Sequence, residues 1–90
     1  ILMATIRDLK KDINHVLGEI IEMTLDWEKA HPEADRKASA AIVDEAITAY
    51  DAFSVKINQK EVENKKAHFR AIQDDLAEKG NALIEKLNAL

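Results

Sequence analysis

Between Ile6 and Trp27 the apolar residues Ile6, Leu9, Ile13, Val16, Ile20, Met23 and Trp27 recur at alternating spacings of three and four. An α-helix turns once in about 3.6 residues, so this spacing gathers them on one stripe. Such a stripe is not stable in water by itself and needs other helices to cover it. Leu17 and Ile21 stand beside the seam and widen it to nearly half the helix circumference. A two-stranded seam needs less width than that. The first helix is therefore expected to touch two neighbours, as in a three-helix bundle. Leu25 falls outside the apolar arc and is expected at the surface.

The rest of the chain agrees with that expectation. Gly occurs 2 times and Pro once in 90 residues, while 47% of the chain is hydrophobic and 33% charged. So few breakers among so many helix formers indicate an all-α fold, and the length indicates one small domain spanning residues 1–90. The aromatics are Trp27, Tyr50, Phe53 and Phe69, so the core must be mainly aliphatic. A net charge of −4 argues against general affinity for nucleic acid or an anionic membrane, both of which attract excess Lys and Arg. Without cysteine, a disulfide framework, thiolate metal sites and cysteine nucleophiles are excluded. No apolar run approaches the ~20 residues that cross a bilayer. A cytoplasmic location is the expectation. Met3-Ala4-Thr5 reads as a natural start, and Ile1 and Leu2 before it are left out of the functional reading.

In chain order, Thr5 is expected to cap the first helix, with Asp8 in its positive first turn, and the helix to run to about Ala30. His31-Pro32-Glu33-Ala34 forms the first connection, because the residue before proline avoids the α region. A second helix is expected from about Asp35 to Ile57, with Ile42, Ala46, Ala49, Phe53 and Ile57 central and Val43, Ile47 and Tyr50 on one flank. Val55 points away from this face. Asn58 with Glu61 three residues on resembles a capping box, which places a short turn at Ile57–Gln59. The third helix is then expected from about Gln59 to Ala89. Its core residues are Val62, Phe69, Ile72, Leu76, Leu83 and Leu87, and because Lys65 falls inside the seam its first two turns are expected to fray or to snorkel over the bundle end. Gly80-Asn81 could stop a helix. The apolar face resumes in phase at Leu83, however, so a continuous or slightly bent helix is preferred.

Several groups of residues could carry chemistry. Asp8, Asp12, His15, Glu19, Glu22 and Asp26 form an acidic stripe along the first helix. Carboxylates with imidazole suit iron, manganese or zinc, so Asp12, His15 and Glu19 are the candidate metal ligands. The plainer reading is a solvated face. Glu28 and His31 have the spacing of the di-iron carboxylate bundles, which use two such pairs and two further glutamates. One pair at a helix end reads instead as a polar terminus. Lys56, Lys60, Lys65, Lys66 and Arg70, diluted by Glu61 and Glu63, make a basic run of net charge +3. It could bind nucleic acid or an acidic partner, or it could be an exposed basic segment facing the acidic edge of the first helix. His68 reads as a boundary residue. Trp27 and Tyr50 could line a pocket but are more simply core. Ser39 and Ser54 have no histidine near them in sequence, and two glycines cannot build a phosphate loop.

The run Met3-Ala4-Thr5-Ile6-Arg7-Asp8-Leu9-Lys10-Lys11-Asp12-Ile13, followed by Leu25-Asp26-Trp27-Glu28, resembles the opening of a group of short bacterial helical proteins without an assigned role. The resemblance covers mainly the first helix. It implies a stand-alone helical protein and carries no site onto any residue here.

Three antiparallel helices in up-down-up order are thus expected. The functional expectation is a non-enzymatic interaction or structural module. Leu17, Ile21, Val43 and Ile47 are its candidate surface, since they supply apolar width beyond the needs of a small bundle. The expected partner is a second copy, as a homodimer, or another protein. No cofactor and no membrane contact are expected. A carboxylate–histidine metal site and weak nucleic-acid binding through residues 56–70 are the alternatives.

Overall fold

A computed structural model describes residues 6–90. It contains three α-helices: α1 (Ile6–Ala30), α2 (Lys37–Ile57) and α3 (Lys65–Asn88). Each packs on the other two, within an envelope of 50 × 24 × 18 Å. Glu28 near the end of α1 meets Ser39 near the start of α2, so these helices are antiparallel. Glu45 meets Lys86, and Lys56 further along α2 meets Asp75 earlier in α3, so α2 and α3 are antiparallel too. The expected up-down-up bundle is the observed fold.

The core comprises Leu9, Ile13, Leu17 and Ile20 of α1, Ile42, Ala46, Ala49, Phe53 and Ile57 of α2, and Ile72, Leu76 and Leu83 of α3. Val16, Ile21, Phe69, Leu87 and Leu90 pack against it half-buried. The buried stripe of α1 follows 9, 13, 17, 20 and 24 rather than the strict seam. Ile6 and Met23, expected in that seam, are each 43% exposed. Thr24 beside Met23 is fully buried. The direction between α2 and α3 decides which side chain is covered, and Thr24 lies on it. Its hydroxyl donates to the Ile20 carbonyl one turn back at 2.7 Å, so no polar group is left unpaired by the burial.

Both connections differ from expectation for reasons of local hydrogen bonding. After Trp27 accepts the His31 amide, the Ala34 amide turns back to the His31 carbonyl at 3.0 Å. The Asp35 carboxylate then accepts the Lys37 amide at 3.0 Å. This Asx-type turn competes with helix and delays α2 to Lys37. At the second connection Asn58 caps the end of α2, and the chain stays non-helical until Asn64. Asn64 Oδ1 accepts the Ala67 amide at 3.1 Å and starts α3. Val62 therefore lies in the connection, half-buried, and not on a helical core face. Nor do the first turns of α3 fray at Lys65, since the helix begins there. The expected cap by Thr5, and the reading of Ile1, Leu2 and Met3, lie outside the described residues.

Helix α3 runs through Gly80 without a break. Gly80 is buried against α1, and a Cβ placed there would stand 3.1 Å from Val16 Cγ1. The glycine is thus a contact surface and lets the two helix backbones approach closely. Gly18, in the middle of α1, has open space where its Cβ would be. Replacing Gly by Ala inside a helix stabilises by roughly 0.5–1 kcal/mol when nothing is crowded. Gly18→Ala should realise that gain in urea denaturation. Gly80→Ala should gain less, because Val16 has to move.

Candidate interaction surface

Val43, Ile47 and Tyr50 follow one another at spacings of four and three along α2, so helical geometry puts them on one flank. That flank borders α1: Tyr50 and Ser54 share a shallow depression with Lys10 and Asn14. On the matching flank of α1 stand Ile21 and, one turn on, Leu25. Ile47 is 48% exposed, Leu25 43% and Tyr50 41%. Val43 and Ile21 are half-buried beneath them. The α1–α2 side of the bundle thus presents an apolar strip.

Leu17 does not belong to that strip. It is 1% exposed and sits in the core. The apolar width of α1 at this residue closes the bundle, because α1 has a neighbour on each side. Of the four residues expected at the surface, Ile47 is exposed, Ile21 and Val43 are half-buried, and Leu17 is inside. Sequence reasoning left out Tyr50 and Leu25. Leu25 was legible as exposed, and its position one turn after Ile21 was the signal that linked it to the strip.

The candidate metal ligands come together only in part. His15 Nε2 lies 3.8 Å from Glu19 Oε2, with both side chains mostly in solvent. Asp12, one turn earlier, is exposed. Among the described residues no three His, Cys, Asp or Glu side chains converge on a point that could hold a metal ion.

Glu28 and His31 part company to build the α1–α2 junction. The buried Ser39 hydroxyl lies 2.6 Å from Glu28 Oε2 and 3.1 Å from the Arg36 carbonyl. It has one proton, and the shorter, charge-assisted bond to the carboxylate is the stronger acceptor for it. His31 stacks on Trp27 with ring centroids 4.6 Å apart, and its Nδ1–H donates to the Trp27 carbonyl at 3.0 Å. Trp27 is thereby fixed at this end, while Tyr50 lies towards the other end beside Lys10 and Asn14. Among the described residues no buried side-chain nitrogen or oxygen lacks a hydrogen-bond partner.

The basic run is dispersed by the fold. Lys56, on the last turn of α2, pairs with Asp75 of α3 at 3.5 Å and lies 6.0 Å from the centre of the Phe53 ring. Lys60 is in the connection, and Lys65, Lys66 and Arg70 stand exposed on the first turns of α3. His68, the boundary residue, ties the segments together: its Nε2–H donates to the Lys56 carbonyl at 2.7 Å.

Glu45 of α2 stands between Lys86, at 2.7 Å, and Lys79, at 3.6 Å, both on α3. The hydrogen bond from Lys86 lowers the Glu45 pKa below the ordinary glutamate range, and the charges of both lysines act in the same sense against partial desolvation. No family model, curated protein or solved structure matches the chain.

Two outcomes follow from these contacts. Ser39→Ala leaves the Glu28 carboxylate without its buried donor and should cost about 1–3 kcal/mol in chemical denaturation. A double-mutant cycle with Glu28→Gln should show that the two losses are not additive. Glu45, whose pKa is lower in the folded than in the unfolded chain, stabilises the fold above the ordinary carboxylate range and loses that contribution as pH falls through its folded pKa. Glu45→Gln should therefore lower the unfolding free energy at neutral pH, and the difference from the parent chain should shrink to nothing on acidification.

Proposed function

We propose that this protein is a non-enzymatic interaction module that acts through helix-face contact. The carrying observation is the apolar strip on the α1–α2 side, where Leu25, Ile47 and Tyr50 are exposed over half-buried Ile21 and Val43. Isolated exposed apolar residues are ordinary on protein surfaces, and what favours a contact site here is their placement on the flanks of two neighbouring helices. Apolar residues on the flanks of two adjacent helices suit the apolar face of a further helix, offered by another protein or a second copy of this chain. The junction made by Glu28, Ser39, Trp27 and His31 supports this reading, because it fixes one end of α1 against α2 and keeps the strip preformed.

The test is a charge placed in the strip. Ile47→Glu should leave the unfolding free energy within about 0.5 kcal/mol of the parent chain, as expected for an exposed position. It should also abolish self-association measured by sedimentation, or capture of a defined partner. A parent chain that stays monomeric at high concentration and captures no protein would sink the reading.

A further inference from the structure

Where α2 ends, a cavity of about 350 Å³ opens at one end of the bundle. Its apolar walls are Ile6 of α1, Ile57 of α2, Val62 of the connection and Phe69 of α3, and Lys60 and Lys65 also line it. The non-helical residues 58–64 contribute Asn58, Gln59, Lys60 and Val62 to its lining. Val62 reaches the bundle end from the non-helical connection, Val62 and Phe69 are half-buried, and Ile6 is exposed. His68 of α3, which also lines the cavity, is tied to α2 by its hydrogen bond to the Lys56 carbonyl.

The charge pattern is as informative as the shape. The chain carries 17 acidic against 13 basic residues, yet among the described residues no carboxylate lines this cavity. Among the described residues, the intrachain ion pairs involve Lys56, Lys79, Lys86 and His15, and neither Lys60 nor Lys65 is in one. The N-terminus of α3, with its partial positive charge, begins at the same place. The volume falls within the roughly 300–1,000 Å³ of small-molecule pockets.

We propose that this cavity binds a small amphipathic anion, a free aliphatic carboxylate of medium chain length. Its tail lies against Ile6, Ile57, Val62 and Phe69, where burial removes apolar surface from water. Its carboxylate sits at the mouth between Lys60 and Lys65, so the charge is paired and stays partly solvated. An alcohol of the same length offers the tail without the charge, and an ammonium is repelled. The net charge of −4 disfavours an anionic bilayer as the source of the same chemistry. This inference does not depend on the α1–α2 strip, and Ile47→Glu leaves it untouched.

The experiment titrates the intact chain with sodium octanoate, octanol and octylammonium, followed by amide NMR shifts. Octanoate should give saturable shifts at Val62, Lys65 and Phe69. Octanol should bind about tenfold more weakly, the ratio that one charge-assisted hydrogen bond supplies. Octylammonium should not bind. The double variant Lys60→Gln with Lys65→Gln, at exposed positions where folding is preserved, should weaken octanoate about tenfold and leave octanol unchanged. Val62→Glu, checked for folding by circular dichroism, should abolish octanoate binding. Phosphatidylglycerol vesicles should not sediment the protein. The proposal is overturned by the absence of saturable shifts, by equal affinity of the parent chain for octanoate and octanol, by an octanoate affinity that is unchanged on loss of both lysines, or by binding to vesicles alone.

Discussion

Coverage of α1 from two sides is the constraint on which the rest of the molecule depends. A helix with nearly half its circumference apolar cannot be satisfied by one partner, so α2 and α3 must both lie against it. The consequence is visible at Gly80, where α3 approaches α1 so closely that an added Cβ would meet Val16 at 3.1 Å. It is visible again at Thr24, a polar residue that continues the buried stripe of Leu9, Ile13, Leu17 and Ile20. Burial here is set by direction first and hydrophobicity second. The hydroxyl can follow because the helix itself supplies an acceptor, the Ile20 carbonyl.

Polar contacts then fix how the helices are joined. The Ser39–Glu28 bond holds the first junction, and the His68–Lys56 bond holds the second. Between them Glu45 is clamped by two lysines of α3. Exposed ion pairs of this type are each worth little, roughly 0–1 kcal/mol, so they select register more than they supply stability. The buried Ser39 bond is the more consequential, since its loss strands a carboxylate beside the core.

These same features give the surface its two distinct regions. Along the bundle, the α1–α2 flanks leave Leu25, Ile47 and Tyr50 in water. At the end, the non-helical stretch after Ile57 leaves a cationic pit over apolar walls. One region is a consequence of helix-face surplus, the other is lined in part by a non-helical connection. The partners proposed for them differ accordingly: a broad apolar face for the first, a small amphipathic anion for the second.

The sequence by itself determined the helical class, the number and order of helices and most of the core. Those follow from apolar spacing, scarce breakers and length, and Leu9, Ile13, Ile20, Phe53 and Leu76 were readable as buried on that basis. The boundaries were less legible. Asn58 with Glu61 imitates a capping box, while the working cap, Asn64, has Ala67 three residues on and so offers no reciprocal partner to notice. Of the proposed interaction strip, Ile21, Val43 and Ile47 were readable from the surplus of apolar width. Leu17 was misplaced, because width on one helix does not reveal how much of it the neighbours cover. The cationic cavity was not legible at all. Lys60, Lys65, Val62 and Ile6 come together only when the end of α2, the connection, α3 and the first turn of α1 meet. Tertiary structure alone decided that, since the spatial neighbours of a residue near a bundle end are set by how whole helices pack and not by the residues beside it in the chain.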